Sequence, residues 1–140
     1  MSSILDLIPQ RAPMVMVDEF LGEEGGVSRT AFLIRGDNLF VDGGEFSECG
    51  VIEHIAQSAA ARVGARYVER GEAVPLGYIA SVNNFEMLRT LSVGERLETE
   101  VSVIQEVFGI TLVEVRCYVA GELVARCRMK TVVDSDAKRS

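Results

Sequence analysis

The chain has 140 residues, 48% hydrophobic and 25% charged, which is the balance of one ordinary globular domain. Its net charge of −7 argues against nucleic acid or an anionic membrane surface as a main partner, and no run approaches the ~18 apolar residues that would span a bilayer. The opening MSSILDLIPQR lacks the parts of a signal peptide, and Cys49, Cys117 and Cys127, odd in number and without metal-ligand spacing, read as reduced thiols of a cytoplasmic protein.

Ser3 to Ile8 has the makings of one helical turn, closed by Pro9. Met14–Phe20 reads as a short apolar strand with Asp18 embedded in it, and the GEEGG run behind it as a turn. Over Val27–Ile34 two residue sets alternate, Val27, Arg29, Ala31 and Leu33 against Ser28, Thr30, Phe32 and Ile34, which predicts a second strand. The next segment, RGDNLFVDGGEFSE, is too rich in glycine and acid for regular structure, yet Leu39, Phe40 and Phe46 demand burial. A loop of this length with its own apolar residues is often a place for function.

One long helix is predicted over residues 47–70. Ile52, Ile55, Ala56, Ala59, Ala60, Val63 and Tyr67 recur at helical steps and form a stripe. Ser47 is its N-cap, Glu48 suits the helix dipole, and Gly71 stops it. At ~1.5 Å per residue it is roughly 35 Å long. Its alanines require something packed close to the axis, and a curved sheet wrapped around the helix answers that need.

Beyond the turn at 71–75 the pattern has period two. Strands are predicted over Leu76–Phe85 and from LSVGERL through about Gln105, the latter with Leu97, Thr99, Val101 and Val103 on one face. Thr111, Val113, Val115, Cys117 and Val119 line the next strand. After a Gly121-Glu122 turn, Leu123, Ala125, Cys127, Met129 and Thr131 line the last. The tail DSDAKRS reads as polar and frayed. The expected architecture is α+β: one domain over residues 1–134 with a polar tail at 135–140, its antiparallel sheet curled about one long helix.

Three blocks resemble a known family. LIPQRAPMVMVDEF at 7–20 is similar to the opening signature of bacterial β-hydroxyacyl-acyl-carrier-protein dehydratases, and VIEHIAQSAA at 51–60 to their central helix. GYIASVNNFEMLRTLSVGERLETEV at 77–101 is similar to the segment that enters a strand through a Gly-Glu turn. The blocks come in the family's order and cover most of the chain.

The resemblance implies the hotdog fold and a dehydration of 3-hydroxyacyl thioesters that needs no cofactor. It implies acyl carrier protein as a partner. It also implies a dimer, of this chain with itself or with a hotdog paralogue, built through the strand over Gly77–Asn84. The family uses an acid on the helix, supplied by the partner protomer, to assist departure of the β-hydroxyl, which maps to Glu53, and a loop histidine to take the α-proton. Ungapped alignment puts Leu39 at that histidine's place, with Phe40 matching, and Gln10 at the place of an earlier family histidine. N–H groups at the helix N-terminus, near Cys49 and Gly50, would polarise the thioester carbonyl. The resemblance suits a divergent branch of fatty-acid or polyene-pigment biosynthesis more than housekeeping fatty-acid synthesis, and such members sometimes serve as partners of an active paralogue.

Several residues carry more than one reading. Glu53, at the edge of the stripe, is either a solvated carboxylate or a site acid. His54, the chain's one histidine, sits about 100° round the helix from Glu53 and reads as partly exposed. Cys49 and His54 are about 140° apart and fail as a nucleophile pair. Asp42 and Glu45 with Glu53 and His54 fit no metal pattern, and Asp42 is the replacement base on offer. Gln57, one turn after Glu53, is placed to bond that carboxylate or a pantetheine arm. Arg11, Arg89 and the strand arginines offer a cationic face to an acidic carrier.

Leu39, Phe40, Glu53, Cys49, Gly50 and Gln57 are thus expected around one tunnel at the dimer interface. The chain is then a dehydratase with an unusual base, a catalytically reduced subunit completed by a paralogue, or a non-enzymatic binder of acyl thioesters.

Overall fold

The structure, a computed structural model, describes residues 3–138, with side chains described as far as 134. A short helix α1 (Ile4–Leu7) precedes strands β1 (Glu19–Glu24) and β2 (Val27–Leu33) and a small hairpin of β3 (Val41–Asp42) and β4 (Glu45–Phe46). The long helix α2 (Glu48–Glu69) follows, and then β5 (Pro75–Met87), β6 (Leu91–Ser92), β7 (Arg96–Val107), β8 (Ile110–Val119) and β9 (Glu122–Lys138). Six strands form one antiparallel sheet in the order β1-β2-β7-β8-β9-β5. A second sheet, β3-β4-β6, is small.

α2 forms as its sequence predicts. The Ser47 side chain accepts from the Gly50 N–H, and Gly71 follows the C-cap at φ +70°, a conformation open to glycine. Around its circumference α2 carries three distinct faces. Val51, Ile55 and Ala59 are buried against the sheet's inner residues, including Val101, Val113, Val115 and Met129. On the same side two polar residues are each answered from a strand: Thr99 on β7 lies 2.7 Å from His54, and Thr30 on β2 lies 2.8 Å from Ser58. Ion pairs from Arg62 and Arg66 to Glu23 anchor the helix further along to β1.

A second face receives the N-terminal segment. Leu7 crosses α2 at Gly64, where its carbonyl occupies the space a Cβ would need. Further along the chain, Gln57 accepts from the Met16 N–H at 2.6 Å and donates to the Met14 carbonyl at 2.7 Å. The alanine-rich helix therefore has a close neighbour, and part of that neighbour is this segment rather than the sheet. The third face, through Glu53, Ala56, Ala60 and Val63, is half-buried and borders a cleft.

Several expectations need correction. The predicted stripe straddles two faces: Ile55 and Ala59 are buried, while Ile52, Ala56, Ala60, Val63 and Tyr67 are only half-buried. Met14–Asp18 is not a strand, because its Met14 and Met16 backbone groups bond to Gln57 and His54 on α2; β1 starts at Glu19. The turn between β1 and β2 is Gly25-Gly26 alone, and the β8–β9 turn is Ala120-Gly121, with Glu122 already in strand. The loop before α2 does contain regular structure, the β3–β4 hairpin, whose Gly43 and Gly44 supply the positive φ of its turn. Of its apolar residues Phe46 is buried, Phe40 is half-buried, and Leu39 is 56% exposed. β9 runs to Lys138, so residues 135–138 of the expected frayed tail are strand; 139–140 lie outside the described residues.

Candidate functional site

The cleft of about 340 Å³ lies between the third face of α2, the Pro9-Gln10 corner of the N-terminal segment, and the edge formed by β5 and β9. Its floor is Ala56, Ala60 and Val63, and Ile79 and Val132 line its opposite side. Small side chains on one helix face keep the space open, and the apolar lining fits a hydrocarbon chain. Among the described residues Glu53 is the one carboxylate lining it. β5 is the last strand of the sheet and pairs only with β9, so its outer edge is unpaired among the described residues. Tyr78 and Ile79 on that strand are 53% and 46% exposed.

The other predicted site residues lie elsewhere in the protomer. Leu39, Phe40, Cys49, Gly50 and Gln57 do not line the cleft. Gly50 is wedged between the Phe46 ring and Phe40: a Cβ there would lie 2.6 Å from the ring and 2.7 Å from Phe40 Cβ. This contact, with the Ser47 N–H donating to the Phe40 carbonyl at 3.0 Å, fixes the loop against the helix N-terminus. Cys49 is exposed in the first helical turn, and Asp42 is exposed on β3. Both amide ends of Gln57 are taken by the Met14–Met16 backbone, so it does not support the Glu53 carboxylate as expected.

His54 departs most from its sequence reading. It is fully buried, not partly exposed. Its Nδ1 lies 2.6 Å from the Met16 carbonyl and its Nε2 2.7 Å from the Thr99 hydroxyl. A carbonyl can only accept, so Nδ1 carries the proton and Nε2 accepts from Thr99. Burial pushes its pKa down to about 4, against opposing effects of the Met16 bond and Asp18. The one histidine is therefore a neutral core residue stacked on Phe32, with both nitrogens engaged.

The cations expected to face a carrier are matched within the chain. Arg89 is paired with Glu95 and Glu122, Arg126 with Glu86, and Arg116 and Arg128 with Glu114. Arg11 bonds the carbonyls of Ile8 and Gln10. Among the described residues no helix is long and apolar enough to cross a membrane, and no cluster of three or more histidine, cysteine or acidic residues is grouped to hold a metal. The polar group that sequence reasoning placed only by alignment is Gln10, which the fold brings into the same cleft as Glu53.

A long helix packed on an antiparallel sheet that curls about it defines a hotdog-fold protein. The family of ApeP-like proteins, described as ApeP dehydratase, matches residues 2–140, and the chain belongs to it. Comparison with curated proteins gives no significant match. Among solved structures, a chain of the dehydratase heterocomplex ApeI:P from Xenorhabdus doucetiae is similar with a TM-score of 0.88 at 18% identity, over 96% of this chain and 93% of that one. A hypothetical thioesterase from Streptococcus pneumoniae, solved with coenzyme A, is similar with a TM-score of 0.65 at 12% identity, covering 87% and 88% of the two chains. The PaaI protein of the E. coli phenylacetic acid degradation operon gives 0.66 at 11% identity, over 81% of each chain. At these identities the likeness establishes the hotdog fold.

Proposed function

We propose that this chain is the acid-bearing half of a 3-hydroxyacyl-acyl-carrier-protein dehydratase, acting in the cytoplasm in fatty-acid or polyene-pigment biosynthesis and completed by a histidine-bearing hotdog paralogue. In such a reaction a base removes the proton from C2 and the electrons of that bond become the C2=C3 double bond. The C3 hydroxyl leaves as water with a proton from an acid. Glu53, in its apolar cleft, is the acid. Its own chain offers no histidine base, since His54 is locked in the core by Met16 and Thr99. That is the observation that carries the reading.

The similar Xenorhabdus chain belongs to a dehydratase heterocomplex, which supports pairing of two such chains as a way this fold is used. The open apolar edge of β5, beside the cleft, is where a partner would dock and close the space over Glu53. The test is a dehydration assay on 3-hydroxyacyl carrier protein, with the chain alone and with a histidine-bearing hotdog paralogue. Strong activity only in the mixture supports the reading. Ordinary enzyme rates from the chain alone overturn it.

A further inference from the structure

The turn of α2 that carries Glu53 is held from two directions by the residue next to it. His54, fully buried, donates from Nδ1 to the Met16 carbonyl at 2.6 Å and accepts at Nε2 from the Thr99 hydroxyl at 2.7 Å. Met16 is 38 residues away in sequence and Thr99 is 45 away, so one ring ties the helix to both the N-terminal segment and β7. Met16 is held at two further atoms. Its N–H donates to Gln57 at 2.6 Å, and its sulfur accepts from Asn38 at 3.3 Å.

An aliphatic side chain would fill this part of the core without a partner, whereas a buried neutral histidine needs a donor and an acceptor at fixed places. What the ring adds is direction. Apolar contacts tolerate repacking, while hydrogen bonds weaken steeply as their angles change. A rotation or slide of this turn would strand both ring nitrogens in the core. Successive residues of a helix stand about 100° apart. With His54 pinned toward β7, Glu53 is therefore turned to the cleft, and the Met16 bond holds the segment that leads back to the Pro9-Gln10 wall of that cleft.

We propose that His54 is a positioning residue for Glu53: through Thr99 and Met16 it fixes the helix turn and the N-terminal cleft wall together, so that the acid keeps one place against a bound thioester. The proposal rests on the reading of Glu53 given above. His54 itself does not line the cleft and takes no part in proton transfer.

The test substitution is at Thr99, which belongs to the sheet and does not line the cleft. Thr99→Val removes the hydroxyl with little change of shape and leaves Nε2 without a donor, whereas Thr99→Ser keeps the hydroxyl. The full-length variants are assayed with the histidine-bearing paralogue on 3-hydroxyacyl carrier protein, under conditions where urea unfolding shows them folded. Thr99→Val should lower kcat about 10–100-fold, the scale of a misplacement on the order of 1 Å, with KM held within about twofold. Thr99→Ser should stay close to the wild type in both. Amide hydrogen exchange gives a readout independent of activity: the backbone N–H groups of Met16 and Gln57 should exchange faster in Thr99→Val and at wild-type rates in Thr99→Ser.

An undiminished kcat in Thr99→Val, a loss that Thr99→Ser does not recover, or a rise in KM alone overturns the proposal and leaves the thioester reading standing. If no mixture dehydrates a 3-hydroxyacyl carrier protein, the thioester reading falls and the exchange rates decide. Unchanged rates then overturn the hold on this turn as well, and protection lost in Thr99→Val but kept in Thr99→Ser supports it. Should Thr99→Val fail to fold, His54→Asn takes its place, since its amide nitrogen can keep the Met16 bond while the Thr99 bond is lost.

Discussion

The Nε2 atom of His54 lies 2.7 Å from the hydroxyl of Thr99, so the chain's one histidine, which the sequence reads as partly exposed, faces the sheet and not the cleft. The burial that makes it a core residue also makes it a pH-sensitive one. An unfolded histidine titrates near 6.5, and burial holds His54 down at about 4. Between those values the unfolded chain binds a proton that the folded chain refuses. His54 thus leaves stability unchanged above pH ~6.5, lowers it as pH falls through the window, and adds nothing further below pH ~4. The full loss is on the order of 3 kcal/mol. Urea unfolding at pH 7 and pH 5 should show a little over half of it, and His54→Asn, less stable at neutral pH, should show a flatter dependence across the window.

Gly64→Ala should destabilise the protein despite alanine's better helix propensity, worth about 1 kcal/mol. The new methyl would meet the Leu7 backbone, which cannot rotate away as a side chain can. Overpacking of this kind costs typically about 1–3 kcal/mol and occasionally more. With the propensity gain set against it, a net loss of about 1 kcal/mol or more in denaturant unfolding is expected. Equal or greater stability would mean the N-terminal segment does not press on α2 as described.

The three cysteines should separate cleanly by reactivity. Cys49 is exposed, whereas burial pushes the Cys117 thiol up to about 12 and the Cys127 thiol up to about 11. Because the thiolate is the nucleophile, a thiol reagent near neutral pH should titrate one group quickly in the native protein and all three after unfolding. Two fast thiols would place one of the strand cysteines at the surface.

Much of the fold is legible in the sequence because its signals are local. Ser47, Gly71 and the helical spacing between them delimit α2, and alternation marks Thr111–Val119 as a strand with a buried face. What is not legible depends on contacts distant in sequence. Met14–Asp18 has the composition of a strand, but Gln57 and His54, about forty residues later, take its backbone bonds. His54 has no sequence mark of burial, since Thr99 is the partner that makes burial tolerable. The stripe on α2 reads as a single buried face because apolar residues for the core and for the open cleft share the same spacing. For the site, Glu53 stands out through its block, while Gln10 carries no signal beyond alignment, although it lines the same cleft.

Ile79→Asp should disrupt self-association or pairing with a paralogue. Ile79 is half-exposed on the outermost strand and lines the cleft, so a charge there meets any chain that docks along β5. Exposed apolar edges are hazards that proteins normally cover. Light scattering at micromolar concentration should give a dimer for the wild type and a monomer for the variant. A wild type that is monomeric both alone and with hotdog paralogues would remove β5 as an interface.

The last prediction concerns catalysis by the chain alone. General-base catalysis typically contributes about 10²–10⁴-fold, and Leu39, at the histidine's place by alignment, cannot accept a proton. A preparation of this chain alone should therefore dehydrate a 3-hydroxyacyl carrier protein more slowly than an ordinary enzyme by about that factor. Leu39 sits in the loop that Phe40 and Gly50 fix against the helix, and its side chain is largely free of the core. Leu39→His should then fold normally and, in a dimer that brings it to the Glu53 of the second copy, recover part of the deficit. Adding Glu53→Gln to that variant should abolish the recovered activity, because the leaving hydroxyl loses its proton source. Asp42→Asn separates a further case: if it removes residual activity in the otherwise wild-type chain, Asp42 is the replacement base and the missing histidine has been compensated within the loop. If Leu39→His gains nothing while a mixture with a histidine-bearing paralogue is active and depends on Glu53, the base enters from the partner at a different position. Activity in that mixture that is indifferent to Glu53→Gln would exclude Glu53 as the acid and, with it, the assignment of the cleft.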